Sequence, residues 1–322
     1  MSPRARVTLV VAVAAVACGG AVAGVAALTS DHPHATVALP PRAGAPPLSL
    51  DLGVRTDSEA VALRRAAGLY GSDRAAAGRI FARYHSVEAR IGAALAAWPD
   101  GTVPTLERLV AERPQSAAAR LHLGLALFWA RQDAQAAAAW RSTARLEPDS
   151  ASAVRADDLL HPRFPVGLPV FVPGFAPSPA VARLAPPARF AAFQAAARRP
   201  DAHAKLLYGV ALQQLGRPLS AEREYAAAAR LAPRDAEAQV AAAVGRFSKT
   251  RPAEAFSRLG PLSRRFPQAP TVRFHIGLLL LWLGQVPEAE RQLGLAVKEG
   301  PATPLGQQAA RYLTSLRKVG SG

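Results

Sequence analysis

The sequence predicts an all-α fold in which helical hairpins stack one after another along the chain as a solenoid. Three observations lead to this prediction. Alanine-rich segments with helical spacing of their apolar residues alternate with short breaks at proline or glycine. Small residues recur inside these segments at a fixed step, and a proline closes each of the last repeats. The pattern is broken by an uncharged N-terminal run and by one stretch rich in proline and phenylalanine.

The closing prolines set the length of the repeat. Pro233, Pro267 and Pro301 lie 34 residues apart. A fixed period arises when each two-helix unit can bury its apolar face only against its neighbours. The same step separates small residues in the first and second helices of the repeats, namely Gly209, Ala243 and Gly277, and Ala221, Ala255 and Ala289. An earlier unit has Gly124, Ala136, Trp140 and Pro148 at the matching places.

A 34-residue period carrying these residues resembles the tetratricopeptide repeat. The resemblance implies a right-handed α-solenoid, which we expect to cover residues 57–319. Four units fit the pattern well: 117–150, 202–235, 236–269 and 270–303. Two shorter hairpins are expected at 57–86 and 87–116, and a single amphipathic capping helix at 304–319.

Residues 1–29 predict a signal anchor or transmembrane helix. No residue from Val7 to Leu28 is charged, and about 20 apolar residues suffice to span a bilayer as a helix. Arg4 and Arg6 precede the run, so the positive-inside rule places the rest of the chain outside the cytoplasm. Cleavage of the run, or lipidation of Cys18 in a lipobox-like AVAC, remain alternatives that predict a secreted or lipidated protein. Residues 30–56 are interpreted as a proline-rich linker.

The charge balance limits the classes of partner. The formal net charge is +16, and four of the 39 basic residues are lysine, so 35 are arginine. Such a surface suits acidic proteins or anionic lipid headgroups, and the high arginine content is also typical of a GC-rich bacterial genome. We expect no nucleic-acid partner, because no basic run is interleaved with stacking aromatic residues.

The sequence carries no signature of catalysis or of metal binding. The motifs GxxxxGK[ST], HExxH, CxxC and GxSxG are absent. His122 and His275 fall at equivalent places in two units, and we favour a shared packing role over a metal site because no cysteine or carboxylate accompanies them. We therefore expect a protein that is not an enzyme and has no catalytic residue, cofactor, metal or small-molecule substrate.

The stretch His161–Pro179 holds six prolines and three phenylalanines and cannot be helical. We predict an insertion over 161–185, placed between helices at 150–160 and 186–199 that form one hairpin. As an extended strip it would pack in or across the groove of the solenoid with its aromatic side chains, Phe164, Phe171 and Phe175. The alternative is that it projects outward as a ligand for another protein.

In the tetratricopeptide family the first helix of each unit lines a concave groove, which implies where a partner binds. The matching positions here are mostly apolar and lack the Lys, Arg and Asn of a carboxylate clamp: Leu121, Leu125, Phe128, Trp129, Leu206, Val210, Gln213, Phe247, Phe274, Leu278, Leu281 and Trp282. The competing interpretation is that these side chains form core between repeats.

We predict a membrane-tethered scaffold that binds a protein partner outside the cytoplasm, in the bacterial cell envelope. One alternative is that the basic surface recognises an anionic envelope polymer or lipid headgroup. Another is that the chain is a non-catalytic subunit of an enzyme or secretion complex. Salt separates the first alternative from groove binding, because only electrostatic binding falls steeply with ionic strength.

Overall fold

The computed structural model describes residues 40–320, with side chains up to Lys318. Over this range the chain contains sixteen helices and no strand, which confirms the all-α prediction. The predicted anchor at 1–29, including Cys18, and the first part of the predicted linker lie outside the described residues. None of the described helices combines the length and the apolar character needed to cross a bilayer.

The described chain divides into two compact units, with the boundary after Pro162. The N-terminal unit begins with an extended segment and continues with seven helices. These are α1 (Ser58–Leu69), α2 (Arg74–Phe81), α3 (Val87–Ala96), α4 (Thr102–Glu112), α5 (Ala117–Trp129), α6 (Asp133–Leu146) and α7 (Ala151–Leu160). Successive helices pack as the hairpins α1–α2, α3–α4 and α5–α6, and α7 packs on α6 and α5.

The C-terminal unit also begins with an extended segment and contains nine helices. These are α8 (Pro179–Ala182), α9 (Pro186–Ala197), α10 (Ala202–Gln214), α11 (Pro218–Leu231), α12 (Ala236–Val244), α13 (Ala253–Arg265), α14 (Pro270–Trp282), α15 (Val286–Glu299) and α16 (Pro304–Gly320). Its hairpins are α10–α11, α12–α13 and α14–α15, and they coincide with the 34-residue units read from the sequence. The last helix, α16, packs on α15 and α14.

Short-range capping explains where the first helices of the repeats begin. Ser116 accepts the N–H of Ala119 at 3.1 Å, and Asp201 accepts the N–H of Ala204 at 3.1 Å. These contacts satisfy donors that have no partner inside the helix. In α14, Pro270 stands in the first turn, where the missing N–H costs nothing.

The turn between the two helices of a hairpin has one conformation in three repeats. Its central residue has a positive φ: 66° at Arg131, 67° at Gly216 and 73° at Gly284. The next residue donates its N–H to the carbonyl five residues before it, as in the 2.9 Å bond from Gln285 N to Leu280 O. This is the Schellman ending of a helix, which favours glycine at the left-handed position.

In three hairpins a glycine in the middle of the first helix allows the two helices to cross closely. Gly124 lies against the indole of Trp140, Gly209 against the ring of Tyr225, and Gly277 against Leu293, with no room for a Cβ. The small residue therefore faces a large one on the second helix, so the pair fills the crossing at the density of a protein core.

One expectation about the insertion is wrong. We expected the helices at 150–160 and 186–199 to be the two helices of one hairpin. They belong to different units: α7 packs on α5 and α6 in the N-terminal unit, and α9 packs on α10 in the C-terminal unit. The proline-rich stretch thus begins the second unit, and the helical period could not show this because it stops at Leu160 and restarts only at Pro186.

Candidate functional site

The candidate site lies on first helices of the hairpins, α5 in the N-terminal unit and α10, α12 and α14 in the C-terminal unit, with Phe247 just after the end of α12. Of the twelve groove positions predicted there, eight are buried in the chain as it stands: Leu121, Leu125, Leu206, Phe247, Phe274, Leu278, Leu281 and Trp282. Phe128, Trp129, Val210 and Gln213 are partly exposed. Much of this set therefore packs within the unit, and its contact with a partner stays a prediction.

In the C-terminal unit an extended segment, residues 163–176, lies on the first helices. We call it the C-terminal strap. The amide of Gln213 in α10 brackets it, since Nε2 donates to the carbonyl of Pro169 at 3.0 Å and Oε1 accepts the N–H of Phe171 at 3.2 Å. Tyr225 donates its hydroxyl to the same Oε1 at 2.8 Å, which fixes the orientation of the amide.

His275 of α14 holds the strap one residue further on. Its Nε2 accepts the main-chain N–H of Val172 at 3.0 Å, while its Nδ1 lies 2.7 Å from the carbonyl oxygen of Thr271. A carbonyl can only accept, so Nδ1 carries the proton and Nε2 is free to accept. Burial lowers the pKa of His275 to about 4, which keeps the ring neutral at pH 7.

The aromatic side chains of the strap pack around these hydrogen bonds. Phe171 is 1% exposed, stacks on the ring of His275 at 5.1 Å between centroids, and meets Tyr225 edge-on at 5.5 Å. Phe175 lies 4.4 Å from the ring of His203. Phe164, also predicted to enter the groove, is partly exposed, with the guanidinium of Arg163 5.3 Å from its ring.

The first helix of the middle hairpin, α12, contributes a carboxylate. Both oxygens of Glu237 accept the N–H of Gly174, at 2.9 and 3.0 Å. Burial raises the pKa of Glu237, and the hydrogen bond from Gly174 opposes that shift. The main chain of the strap therefore forms hydrogen bonds with one side chain from each of α10, α12 and α14.

The N-terminal unit has a strap of its own, residues 40–52. The N–H of Ser49 donates to Nε2 of His122 in α5 at 3.1 Å, and the Nδ1 of that ring lies 2.7 Å from the carbonyl of Ala118. Burial lowers the pKa of His122 to about 4 as well. Tyr70, just after α1, donates its hydroxyl to the carbonyl of Pro46 at 2.7 Å.

The start of this N-terminal strap is clamped by Arg42. Its guanidinium pairs with both carboxylate oxygens of Asp133, at 2.8 and 3.0 Å, and lies 3.7 Å from the ring centre of Phe128. Its main-chain N–H donates to the carbonyl of Trp129 at 2.8 Å. Residues 40–52 were predicted to be part of a linker; they contain no helix or strand, and they are packed, with Leu52 only 6% exposed.

The two straps match position by position. Gly44 and Gly167 both have positive φ, 82° and 86°, and each is followed two residues later by a buried proline, Pro46 or Pro169. The carbonyl of that proline accepts a side-chain hydrogen bond in both units. Both sequences fit G-x-P-x-Φ-x-x-x-Φ, where Φ is Leu48 and Leu52, or Phe171 and Phe175.

The helices that receive the straps match too. Residues 120–129 read RLHLGLALFW and residues 273–282 read RFHIGLLLLW, so the histidine, the glycine and the tryptophan recur at one spacing. The sequence had shown the two histidines to be equivalent and favoured a packing role. Their shared role is more specific than packing, since each histidine accepts a main-chain N–H from a strap. The glycine-proline pattern that recurs in the two straps was the sequence signal that could have predicted this contact.

No group of three or more histidine, cysteine or acidic residues within residues 40–320 could hold a metal ion. The polar side chains that bind the main chain of the straps are a neutral histidine in each unit, a tyrosine in one, and a glutamine and a half-buried carboxylate in the other.

No family model and no curated protein matches this sequence. Among solved structures the chain is similar to YrrB, described as a TPR protein with an unusual peptide-binding site, at 16% identity and a TM-score of 0.32, over 65% of this chain and 99% of that one. It is similar to yeast Tom70 at 13% identity and a TM-score of 0.35, over 84% of this chain and 51% of that one. It is also similar to PilW, a type IV pilus biogenesis factor, at 13% identity and a TM-score of 0.31, over 80% of this chain and all of that one. Because these identities and TM-scores are low, the tetratricopeptide-like assignment rests on the chain's own 34-residue period and helix pairing.

Proposed function

We propose that this chain is a non-enzymatic scaffold that binds a protein partner outside the cytoplasm and is tethered to the membrane by its N-terminal segment. The uncharged run from Val7 to Leu28, preceded by Arg4 and Arg6, supports the tether and its orientation. Cleavage of the run or lipidation of Cys18 would change the tether without moving the two units to the cytoplasm.

One observation carries the binding function. Each unit holds an extended segment against its first helices through main-chain N–H groups, donated by Ser49 in one unit and by Phe171, Val172 and Gly174 in the other. Every non-proline residue has such an N–H, so a surface that recognises it can also accept a segment from another protein. This supports the first helices as the binding face.

The test is affinity capture of the full chain from detergent-solubilised membranes, followed by quantitative mass spectrometry. A second bait replaces residues 163–176 with a Gly/Ser segment of equal length, and a third adds His275→Leu to that replacement. We expect a stoichiometric partner whose recovery rises with the second bait and falls again with the third, because opening the groove adds a site and His275→Leu removes its acceptor.

Salt and a matched control complete this experiment. Val166→Ser with Val170→Ser alters strap side chains that are 49% and 39% exposed, and it should leave capture unchanged. Capture by the groove should persist between about 0.15 and 0.5 M NaCl, because apolar contacts are not screened. A partner lost over that salt range and indifferent to all groove variants would instead place binding on the arginine-rich surface. Recovery of no stoichiometric protein with any bait would contradict the scaffold.

A further inference from the structure

We infer that both units recognise one peptide motif, G-x-P-x-Φ-x-x-x-Φ with Φ leucine or phenylalanine, and that a partner carrying this motif binds the C-terminal unit by replacing its strap. The inference rests on the proposed function and specifies the chemistry of the partner. In this view residues 40–52 and 163–176 are resident copies of the ligand.

The motif is defined by contacts that recur in both units. The glycine adopts a positive φ, which other residues rarely adopt. The carbonyl of the buried proline accepts a hydrogen bond, from Tyr70 in one unit and from Gln213 in the other. Three residues after that proline, a main-chain N–H reaches a buried histidine, at 3.1 Å in the N-terminal unit and 3.0 Å in the C-terminal unit.

The variable positions of the motif show which side chains the site does not recognise. Ser49 and Val172 occupy the place that donates to the histidine and share no side-chain chemistry. Between the proline and the first Φ stand Pro47 and Val170, and Val170 is 39% exposed. The main-chain bonds therefore provide affinity, while the proline and the two Φ side chains provide selection. Proline also lowers the entropy lost when the segment becomes ordered.

The C-terminal unit is the one that can exchange its strap. In the N-terminal unit Arg42 adds an ion pair with Asp133, a contact with the ring of Phe128 and a main-chain bond to Trp129. The C-terminal strap has Pro165 at the place of Arg42, and proline offers neither an N–H nor a charge. This strap thus lacks the clamp at its leading end.

A resident strap competes with any incoming peptide because it is part of the same chain. Short linkers give effective concentrations of about 1 mM, so a free peptide of the same sequence at about 10 µM displaces only a small fraction of it. Opening the groove should therefore tighten binding of the free peptide by about tenfold or more.

The experiment measures binding of a fluorescent peptide, RFPVGLPVFVPGFA (residues 163–176), to the full chain in detergent. The protein variants are wild type, the equal-length Gly/Ser replacement of residues 163–176, and that replacement with His275→Leu. We expect the replacement variant to bind at least about tenfold more tightly than wild type, and His275→Leu to weaken binding by about tenfold.

Two further peptides test the motif itself. The peptide PPRAGAPPLSLDLG (residues 40–53) should compete for the same site, since it carries the motif on a different sequence. A peptide with serine at the places of Phe171 and Phe175 should not bind, whereas one with serine at the places of Val166 and Val170 should bind normally. Equal binding of these last two peptides would overturn the motif.

A second protein variant covers the case in which the replacement does not fold, as judged by circular dichroism and thermal unfolding. Phe171→Ser in the otherwise intact chain weakens the resident strap, and this variant should bind the free peptide more tightly than wild type does. If neither opened variant binds the peptide, the inference is wrong even if a partner is captured from membranes. If the peptide binds but no partner is captured, the motif stands and the proposed scaffold function fails.

Discussion

The Nε2 atom of His275 accepts the main-chain N–H of Val172 at 3.0 Å, and the two residues are 103 positions apart in the sequence. His122 and Ser49 make the same contact in the other unit at 3.1 Å. Because each ring is fully buried and also binds a carbonyl of its own helix, it is a fixed acceptor facing its strap.

Replacing either histidine should release only its own strap. His275→Leu keeps most of the side-chain volume but removes the acceptor for the N–H of Val172, at a cost of about 1–3 kcal/mol for that group, while the carbonyl of Thr271 keeps its place in the hydrogen bonding of the helix. Hydrogen exchange by mass spectrometry should speed up in residues 168–175 for this variant and in residues 45–52 for His122→Leu. Each variant is the control for the other, and faster exchange in both straps from one substitution would contradict local action.

Acid should destabilise the units through the same rings. Burial lowers the pKa of His122 and His275 from 6.5 to about 4, so between these values the unfolded chain binds protons that the folded chain does not. Stability therefore falls as pH falls from about 6.5 to about 4, by roughly 1.4 kcal/mol per pH unit for each histidine. Urea unfolding at a series of pH values measures this slope.

The double variant His122→Leu with His275→Leu supplies the control for this pH series. It should flatten the slope over that range, leaving the part that belongs to other groups. Glu237 acts in the opposite sense, because burial raises its pKa in the folded state, and Glu237→Gln separates its share. An unchanged slope in the histidine double variant would show that other groups set the acid sensitivity.

Phe171 should dominate the packing of the C-terminal strap. Its ring is 1% exposed between Tyr225 and His275, and removing a buried phenylalanine from a core costs about 3–5 kcal/mol. In Phe171→Ala we expect lower stability in urea and new protease cleavage within residues 163–176. Val170→Ala, next to it but 39% exposed, should change stability by less than about 0.5 kcal/mol and leave cleavage unchanged. Similar behaviour of the two variants would show that the strap is not seated through Phe171.

Gly209 should tolerate no side chain, because a Cβ there would overlap the ring of Tyr225. Gly209→Ala must push this ring away, at a cost of about 1–3 kcal/mol, and the ring carries the hydroxyl that orients Gln213 under the strap. Gly294→Ala is the matched control, since Gly294 lies inside α15 with nothing within 4 Å of its Cβ position. There alanine should stabilise the helix by up to about 1 kcal/mol. Thermal unfolding of the two variants should shift in opposite directions.

The helical hairpins could be predicted because their signals are local. Gly124, Gly209 and Gly277 mark the crossings, and the closing prolines mark the ends, so the period appears in the sequence itself. The straps could not be placed in this way. An extended proline-rich backbone has no period, and its position depends on acceptors 73 and 103 residues away. The segment around Pro46 was interpreted as a linker and the segment around Pro169 as an insertion, although both are straps with the same glycine-proline pattern.

The predicted partner-binding residues show a related limit. Leu206 and Phe274 carry the apolar pattern expected of a first helix, but that pattern does not distinguish core from groove, and both are fully buried. Gln213 was predicted from its position in the first helix, and it binds the strap main chain on both sides of Val170.

The path of the C-terminal strap changes how this unit is expected to unfold. In a solenoid each repeat touches only its neighbours, so stability adds up repeat by repeat and the ends open first. The strap bonds to Gln213 of α10, Glu237 of α12 and His275 of α14, and so links the first and third hairpins directly. With this long-range link the three hairpins gain cooperativity and lose stability in a single step. Displacing the strap would return them to fraying from the ends, so an occupied and an emptied groove would differ in the mechanics of the whole unit.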